Sequence, residues 1–256
     1  MDYILADRFV IPEAQAQYYA ESIATLPDSY QCNDSKRRIA DIAPTRGEAG
    51  LPEQGFVFCC FNNNFKIAPE MFSLWMDLLR EVEGSALWLL ENDASAARAL
   101  KREAEARGIA AERLVFAARM KTPEHLARHK LADLFLDTLP YGAHTTASDA
   151  LYAGLPVLTC TGETFAGRVG TSLVNAAGVP ELAVPSRDAY RALALKLARE
   201  PGTLRALKTR LAQTRETCAL FDTARITRSL ESAYVTMIER ARRGLPPESF
   251  AVEEPR

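Results

Sequence analysis

The chain has 256 residues, 48% of them hydrophobic and 25% charged, the composition of a folded protein with room for one large α/β domain and flanking elements. With 31 lysines and arginines against 33 acidic side chains the formal net charge is −2, which excludes a basic field for nucleic acid. The one compact basic run, Lys36-Arg37-Arg38, reads as a solvated loop.

Residues 1–54 hold short apolar pieces among loop-like sequence and no core of their own. They read as the remnant of, or linker from, a further lobe. From Gly55 the pattern alternates. Residues 56–61 read as a strand, and Pro69 opens a helix with Phe72, Trp75, Met76 and Leu79 at i, i+3, i+4, i+7. Residues 86–90 are the next strand. Asp93 caps a helix running through Arg107, which Gly108 ends. A strand at 113–117 precedes a helix opened by Pro123-Glu124. Strands at 134–139, 156–160 and 182–184 then alternate with helices around 150–153, 165–177 and the segment carrying Tyr190, Leu193, Ala194 and Leu197.

Apolar runs separated by helices predict a doubly wound, Rossmann-like parallel sheet over 55–222, covered on both faces. Past Asp222 a long helix (Ile226, Leu230, Tyr234, Met237, Ile238) fills 223–246. Pro246-Pro247 stops it, and 247–256 read as a flexible tail. The five cysteines (Cys32, Cys59, Cys60, Cys160, Cys218) have no metal-ligand spacing. Their odd number without a framework predicts reduced thiols and a cytoplasmic setting. No signal peptide opens the chain and no apolar stretch is long enough to span a bilayer.

Ligands of doubly wound sheets bind at the carboxyl ends of the strands. Segments 62–66, 119–128, 141–149 and 161–168 fall there. In Pro140-Tyr141-Gly142-Ala143-His144-Thr145-Thr146-Ala147-Ser148-Asp149 a strand ends, a glycine-bearing loop turns, and a helix begins with His-Thr-Thr. Free N–H groups and the positive end of the helix dipole suit a phosphate there. The same residues, Thr146 to Asp149, also fit a capping pattern that merely starts a helix. Lys66, just past a strand end, can reach a diphosphate, and the neighbouring asparagines can donate to its oxygens. His125 and His129 are one helical turn apart, as zinc ligands can be, but no third ligand is evident. An imidazole stacked on a base, with Arg128 reaching ribose or phosphate, fits a nucleotide pocket better. Asp149 can accept from a ribose diol. With Lys66, His125 and Arg128 at neighbouring strand ends, ligand binding is preferred over bare capping at His144-Thr145-Thr146.

Together these motifs (residues 58–67, Glu124-His125-Leu126-Ala127-Arg128, Leu136-Asp137-Thr138, His144-Thr145-Thr146, Asp149-Ala150-Leu151, and 162–169) resemble the carboxyl half of the protein O-GlcNAc transferase/SPINDLY family. These are inverting, two-lobed GT-B glycosyltransferases usually preceded by tetratricopeptide repeats. The resemblance implies the donor-binding lobe of an enzyme that moves a sugar from a nucleotide diphosphate to serine or threonine of proteins, with the long helix crossing back to the other lobe. It implies that His125 contacts the base, Arg128 the nucleotide, His144, Thr145 and Thr146 the diphosphate, and Asp149 the ribose. Lys66 would neutralise charge on the leaving diphosphate in place of a metal. Asn63 stands where the family carries a donor-touching glutamine, and Thr122 where it carries a lysine. UDP-GlcNAc, UDP-glucose and GDP-fucose remain open as donors. No tetratricopeptide period appears, and the amino-terminal catalytic lobe expected of the family is missing. The isolated chain is therefore expected to bind nucleotide with little or no transfer. The alternatives are a non-catalytic nucleotide-sugar-binding or regulatory module and, less well matched, a GT-B enzyme with lipid or small-molecule acceptors.

Overall fold

In a computed structural model describing residues 1–253, the apolar runs form the expected sheet. Two short parallel strands come first, β1 (Tyr3–Asp7) and β2 (Ser22–Leu26). The main lobe follows as β3 (Val57–Cys60), α1 (Pro69–Glu81), β4 (Ala86–Leu90), α2 (Ala94–Ala106), β5 (Leu114–Ala117), α3 (Thr122–Arg128) and β6 (Leu134–Leu136). It continues through α4 (Thr145–Tyr152), β7 (Val157–Cys160), α5 (Phe165–Ala176), β8 (Ala183–Val184), α6 (Arg187–Arg199) and α7 (Pro201–Thr214). A long helix, α8 (Thr223–Arg242), and a short strand, β9 (Phe250–Ala251), close the chain.

The main sheet runs β5-β4-β3-β6-β7-β8, all parallel. Every residue of β3, β4, β6 and β7 is buried, because helices cover both faces. Counting these six strands alone, the order is 3-2-1-4-5-6, so the winding reverses between β3 and β6. A crevice opens at the carboxyl ends of strands where such a reversal occurs. Asn62–Lys66 and Asp137–His144 emerge there.

Local signals account for the helices. The Asp93 carboxylate accepts from the N–H groups of Ser95 and Ala96 to cap α2, and Gly108 takes the left-handed turn (φ 75°) beyond its end. Asp222 caps α8 through Arg225 N–H at 2.8 Å. Helix α7, with Leu204, Leu207 and Leu211 buried, is an addition to the expected elements.

Two expectations at the chain ends are corrected. Strands β1 and β2 pair in parallel, with Tyr3 opposite Ser22, and β9 adds to the far side of β2. This second sheet has its own small core of Ala24, Leu26, Ala233 and Val252, with Leu230 and Met237 of α8 packed against it. Residues 1–54 are thus neither coreless nor a bare linker, since Ala6, Val10, Ile11 and Leu51 also enter the main core. The region read as a flexible tail supplies β9, because the backbone of residues 250–252 completes the β2 edge and Val252 is buried. Residues 254–256 of that tail lie outside the described residues. Tyr234, Val235 and Ile238 leave an apolar strip of α8 open to solvent. Among the described residues, no helix is long and apolar enough to cross a membrane.

Candidate nucleotide-binding site

The site is organised by a buried carboxylate at the end of β6. Asp137 is 2% exposed, and its Oδ1 accepts from the N–H groups of Thr138 (2.7 Å) and Ala143 (2.6 Å). Its Oδ2 accepts from the Thr159 hydroxyl of β7 at 2.7 Å. One side chain therefore fixes both ends of loop 138–143. Burial pushes its carboxyl up to about 6, against the opposing pull of those hydrogen bonds and of Lys66.

Lys66, at the end of the β3 turn, donates to the Gly142 carbonyl at 2.9 Å and lies 4.0 Å from the Tyr141 ring centroid. Burial lowers its pKa, partly countered by Asp137. A cation is thus held over the loop that leads into α4. Tyr141 stacks on His144 with centroids 5.2 Å apart and planes 19° from parallel. Burial, and then Lys66, lower the His144 pKa, while its contact with the Ala166 carbonyl raises it.

Capping of α4 does not occur: among the described residues no side chain bonds to its first N–H groups. The Thr146 hydroxyl instead donates to Asn62 Oδ1, and Asn62 Nδ2 donates to Thr138 Oγ1 at 2.7 Å. The helix start is left open, with Thr145 exposed beside it. Asn62 is the buried amide that ties β3, β6 and α4 together, whereas Asn63 is exposed at the N-cap of the following turn. Asn63, the residue expected at the donor, faces solvent instead of joining this network. Strand alternation was the available signal for the neighbouring amide, because Asn62 continues the side of Cys60.

His125 and Arg128 meet on α3, with Arg128 Nη2 2.6 Å from His125 Nδ1. A guanidinium only donates, so Nδ1 accepts and Nε2 carries the proton. Arg128 is 2% exposed, lies 4.4 Å from the Phe61 ring and donates to the Ala118 carbonyl at 2.6 Å. It orients His125 from below, in a place different from the open nucleotide contact expected of it. Burial and then the neighbouring Arg128 bring the His125 imidazole down to about 4. His129 is buried behind it and donates through Nδ1 to the His125 carbonyl at 2.8 Å. No group of three potential metal ligands occurs among the described residues.

Asp149 is not free either. Its Oδ1 is 2.5 Å from Arg37 Nη1, so the basic run read as a solvated loop turns its middle member inward while Lys36 and Arg38 stay exposed. A cleft of about 550 Å³ opens at the ends of β7 and β8, lined by Met71, Cys160, Thr161, Gly162, Glu163 and Arg187 among others. It shares Leu139 and Pro140 with the Asp137 loop but none of the expected ligand contacts.

A six-stranded parallel sheet with a cation, an uncapped helix start and an imidazole gathered at its switch point defines a lobe of the doubly wound α/β class. The chain belongs to glycosyl transferase family 41, whose sequence pattern matches residues 36–230. It is 37% identical over 260 residues to the probable UDP-N-acetylglucosamine–peptide N-acetylglucosaminyltransferase SEC of Arabidopsis thaliana, spanning 99% of this chain and 27% of that protein. The UDP-N-acetylglucosamine–peptide N-acetylglucosaminyltransferase of Caenorhabditis elegans is 33% identical over 205 residues, 80% of this chain and 18% of its own length. Among solved structures, a mutant O-GlcNAc transferase from Thermobaculum terrenum superposes with a TM-score of 0.84 at 32% identity, over 95% of this chain and 46% of that one. A sucrose-phosphate synthase from Thermosynechococcus elongatus (TM-score 0.59, 17% identity, 94% of this chain and 58% of that one) shares the fold. The fold is that of a GT-B glycosyltransferase lobe.

Proposed function

We propose that this chain is the donor-binding lobe of an inverting protein O-glycosyltransferase that uses UDP-GlcNAc or a related nucleotide sugar. The observation that carries this reading is Lys66, held by the Gly142 carbonyl beside an α4 start whose N–H groups no side chain caps. A diphosphate placed there meets three favourable features at once: free N–H groups, the positive end of a helix dipole and an ammonium. His144, Thr145 and Thr146 then line the diphosphate, Asp149 takes the ribose, and His125, steadied by Arg128, offers its ring and Nε2–H to the base. Asn63 is free to swing toward the sugar. Lys66 stabilises negative charge on the departing diphosphate as an acceptor serine or threonine hydroxyl attacks the anomeric carbon, a role that calls for no metal.

The relatives matched extend far beyond the matched stretch, so the protein acceptor, an amino-terminal catalytic lobe, tetratricopeptide repeats and a cytoplasmic setting all belong to the proposal. Titration calorimetry of the folded chain with UDP and with GDP tests it. Binding of one of them, weakened about tenfold or more in Lys66→Ala, is expected from the loss of a charge-assisted contact. Heat from neither nucleotide sinks the donor-lobe reading.

A further inference from the structure

We propose that Arg37 is a positioning residue for the ribose of the nucleotide: it holds one carboxylate oxygen of Asp149 and leaves the other to accept from the 2′- and 3′-hydroxyls. The inference rests on the donor-lobe reading. Asp149 lies one helical turn after Thr145, so its carboxylate shares a face with the open start of α4. Arg37 Nη1 engages Oδ1 at 2.5 Å, and Oδ2 carries no hydrogen bond among the described residues. The side chains are 14% and 15% exposed, so the pair is shielded from solvent without being sealed from a ligand.

The guanidinium is itself pinned. It lies 4.3 Å from the Tyr152 ring centroid and 5.7 Å from that of Phe221, and its Nε donates to the Asp34 carbonyl at 3.1 Å. The backbone is fixed too, because the Tyr152 hydroxyl shares its one proton between the carbonyls of Arg37 (3.0 Å) and Ser35 (3.1 Å). Asn33, 7% exposed, accepts from Ser148 on α4 and donates to the Leu220 carbonyl at 3.2 Å. Thr223, at the start of α8, donates to the Asn33 carbonyl at 2.8 Å. Residues 33–37 thus form a hook clamped between α4 and the base of α8, more structure than a lone surface ion pair needs.

The chemistry gives this hook a purpose. Burial raises the Asp149 pKa and Arg37 opposes that rise. Without the cation, the carboxyl is freer both to rotate and to take up a proton, and either change spoils an acceptor for two hydroxyls. A planar guanidinium over an aromatic ring is a stiffer anchor than an ammonium.

Titration calorimetry of the full chain with UDP and 2′,3′-dideoxy-UDP tests the assignment; if the wild type binds GDP instead, the guanosine pair is used. The wild type is expected to favour the ribose form about tenfold, the worth of a hydrogen bond to a charged group. Arg37→Met should erase most of that preference while leaving dideoxy-UDP affinity unchanged, and should add nothing in an Asp149→Asn background. Should Arg37→Met fail to fold, Arg37→Gln, which keeps a donor and loses the charge, is expected to narrow the preference in the same way. Unchanged preference in the folded variant, or equal weakening of both ligands, overturns the role of Arg37 while leaving the donor lobe intact. A wild type that binds no nucleotide overturns both.

Discussion

Gly170→Ala should destabilise the protein although helix propensity argues the opposite. Gly170 is buried within α5, where alanine is ordinarily favoured over glycine by about 1 kcal/mol. A Cβ built there falls 2.4 Å from Thr159 Oγ1, 2.5 Å from Asp137 Oδ2 and 2.9 Å from Thr159 Cβ. Those two oxygens form the 2.7 Å hydrogen bond that orients the Asp137 carboxylate, whose other oxygen anchors loop 138–143. Overpacking costs about 1–3 kcal/mol, and displacing a hydrogen bond to a carboxylate about 1.5–3 kcal/mol more. Set against the propensity gain, the net loss is about 1.5–5 kcal/mol, a fall in Tm of about 3–20 °C for a domain of this size. Gly202→Ala is the control, because nothing lies within 4 Å of a Cβ there; it should be neutral or slightly stabilising. Thermal melts followed by circular dichroism read both. A Gly170→Ala melt at or above that of the wild type would refute the account of how the loop is held. With loop 138–143 loosened, UDP affinity should fall along with Tm, whereas the control should leave it alone.

The pH dependence of stability has a defined sign. Burial, the largest cause in each case, holds His125 at about 4 and His129 at about 3, against 6.5 for an ordinary histidine. The unfolded chain therefore binds more protons below about 6.5, and stability falls as pH drops toward 4, by several kcal/mol on this linkage. Asp137, raised to about 6, acts the other way between about 6 and 3.8 and offsets part of the loss. Urea midpoints between pH 7.5 and 4.5 should drop in the wild type and drop less in His129→Phe; parallel curves contradict the burial argument. Thiol reactivity offers a packing test. Cys32 is exposed, while Cys59 and Cys60 are buried with their thiols pushed upward. An aromatic disulfide reagent should find one fast thiol, lost in Cys32→Ser; a second fast thiol from β3 means that the sheet is not packed as described.

The main sheet was legible because both its faces are covered, so each strand reads as an unbroken apolar run between helices. The second sheet was not. Tyr3–Asp7 and Ser22–Leu26 are too short and mixed to announce themselves, and their third partner, Phe250–Ala251, lies beyond a pair of prolines that looked like the end of order. Local pattern carries no information about such pairings, because the hydrogen bonds that define them join distant residues. Helix α7 is a different case: Leu204, Leu207 and Leu211 show helical spacing in the sequence itself, and only its close succession to α6 hid it.

The candidate site divides along the same line. That Lys66, His125 and His144-Thr145-Thr146 lie in segments following strand ends was legible from position alone, and the switch point fixes where strand ends matter. What the sequence withheld is which polar groups are already engaged. Three consecutive asparagines look alike in composition, yet a one-residue step along an extended chain sends Asn62 into a network with Thr138 and Thr146 and leaves Asn63 in solvent. Arg128 and Asp149 were read as ligand contacts because arginine and aspartate are the right chemistry for a nucleotide. Their neighbours across the fold decide the rest: Arg128 is enclosed with Phe61 and His125, and Asp149 is held from Arg37, 112 residues earlier in the chain. A binding residue is therefore set by two conditions, suitable chemistry and an unspent valence. Only the first is written locally.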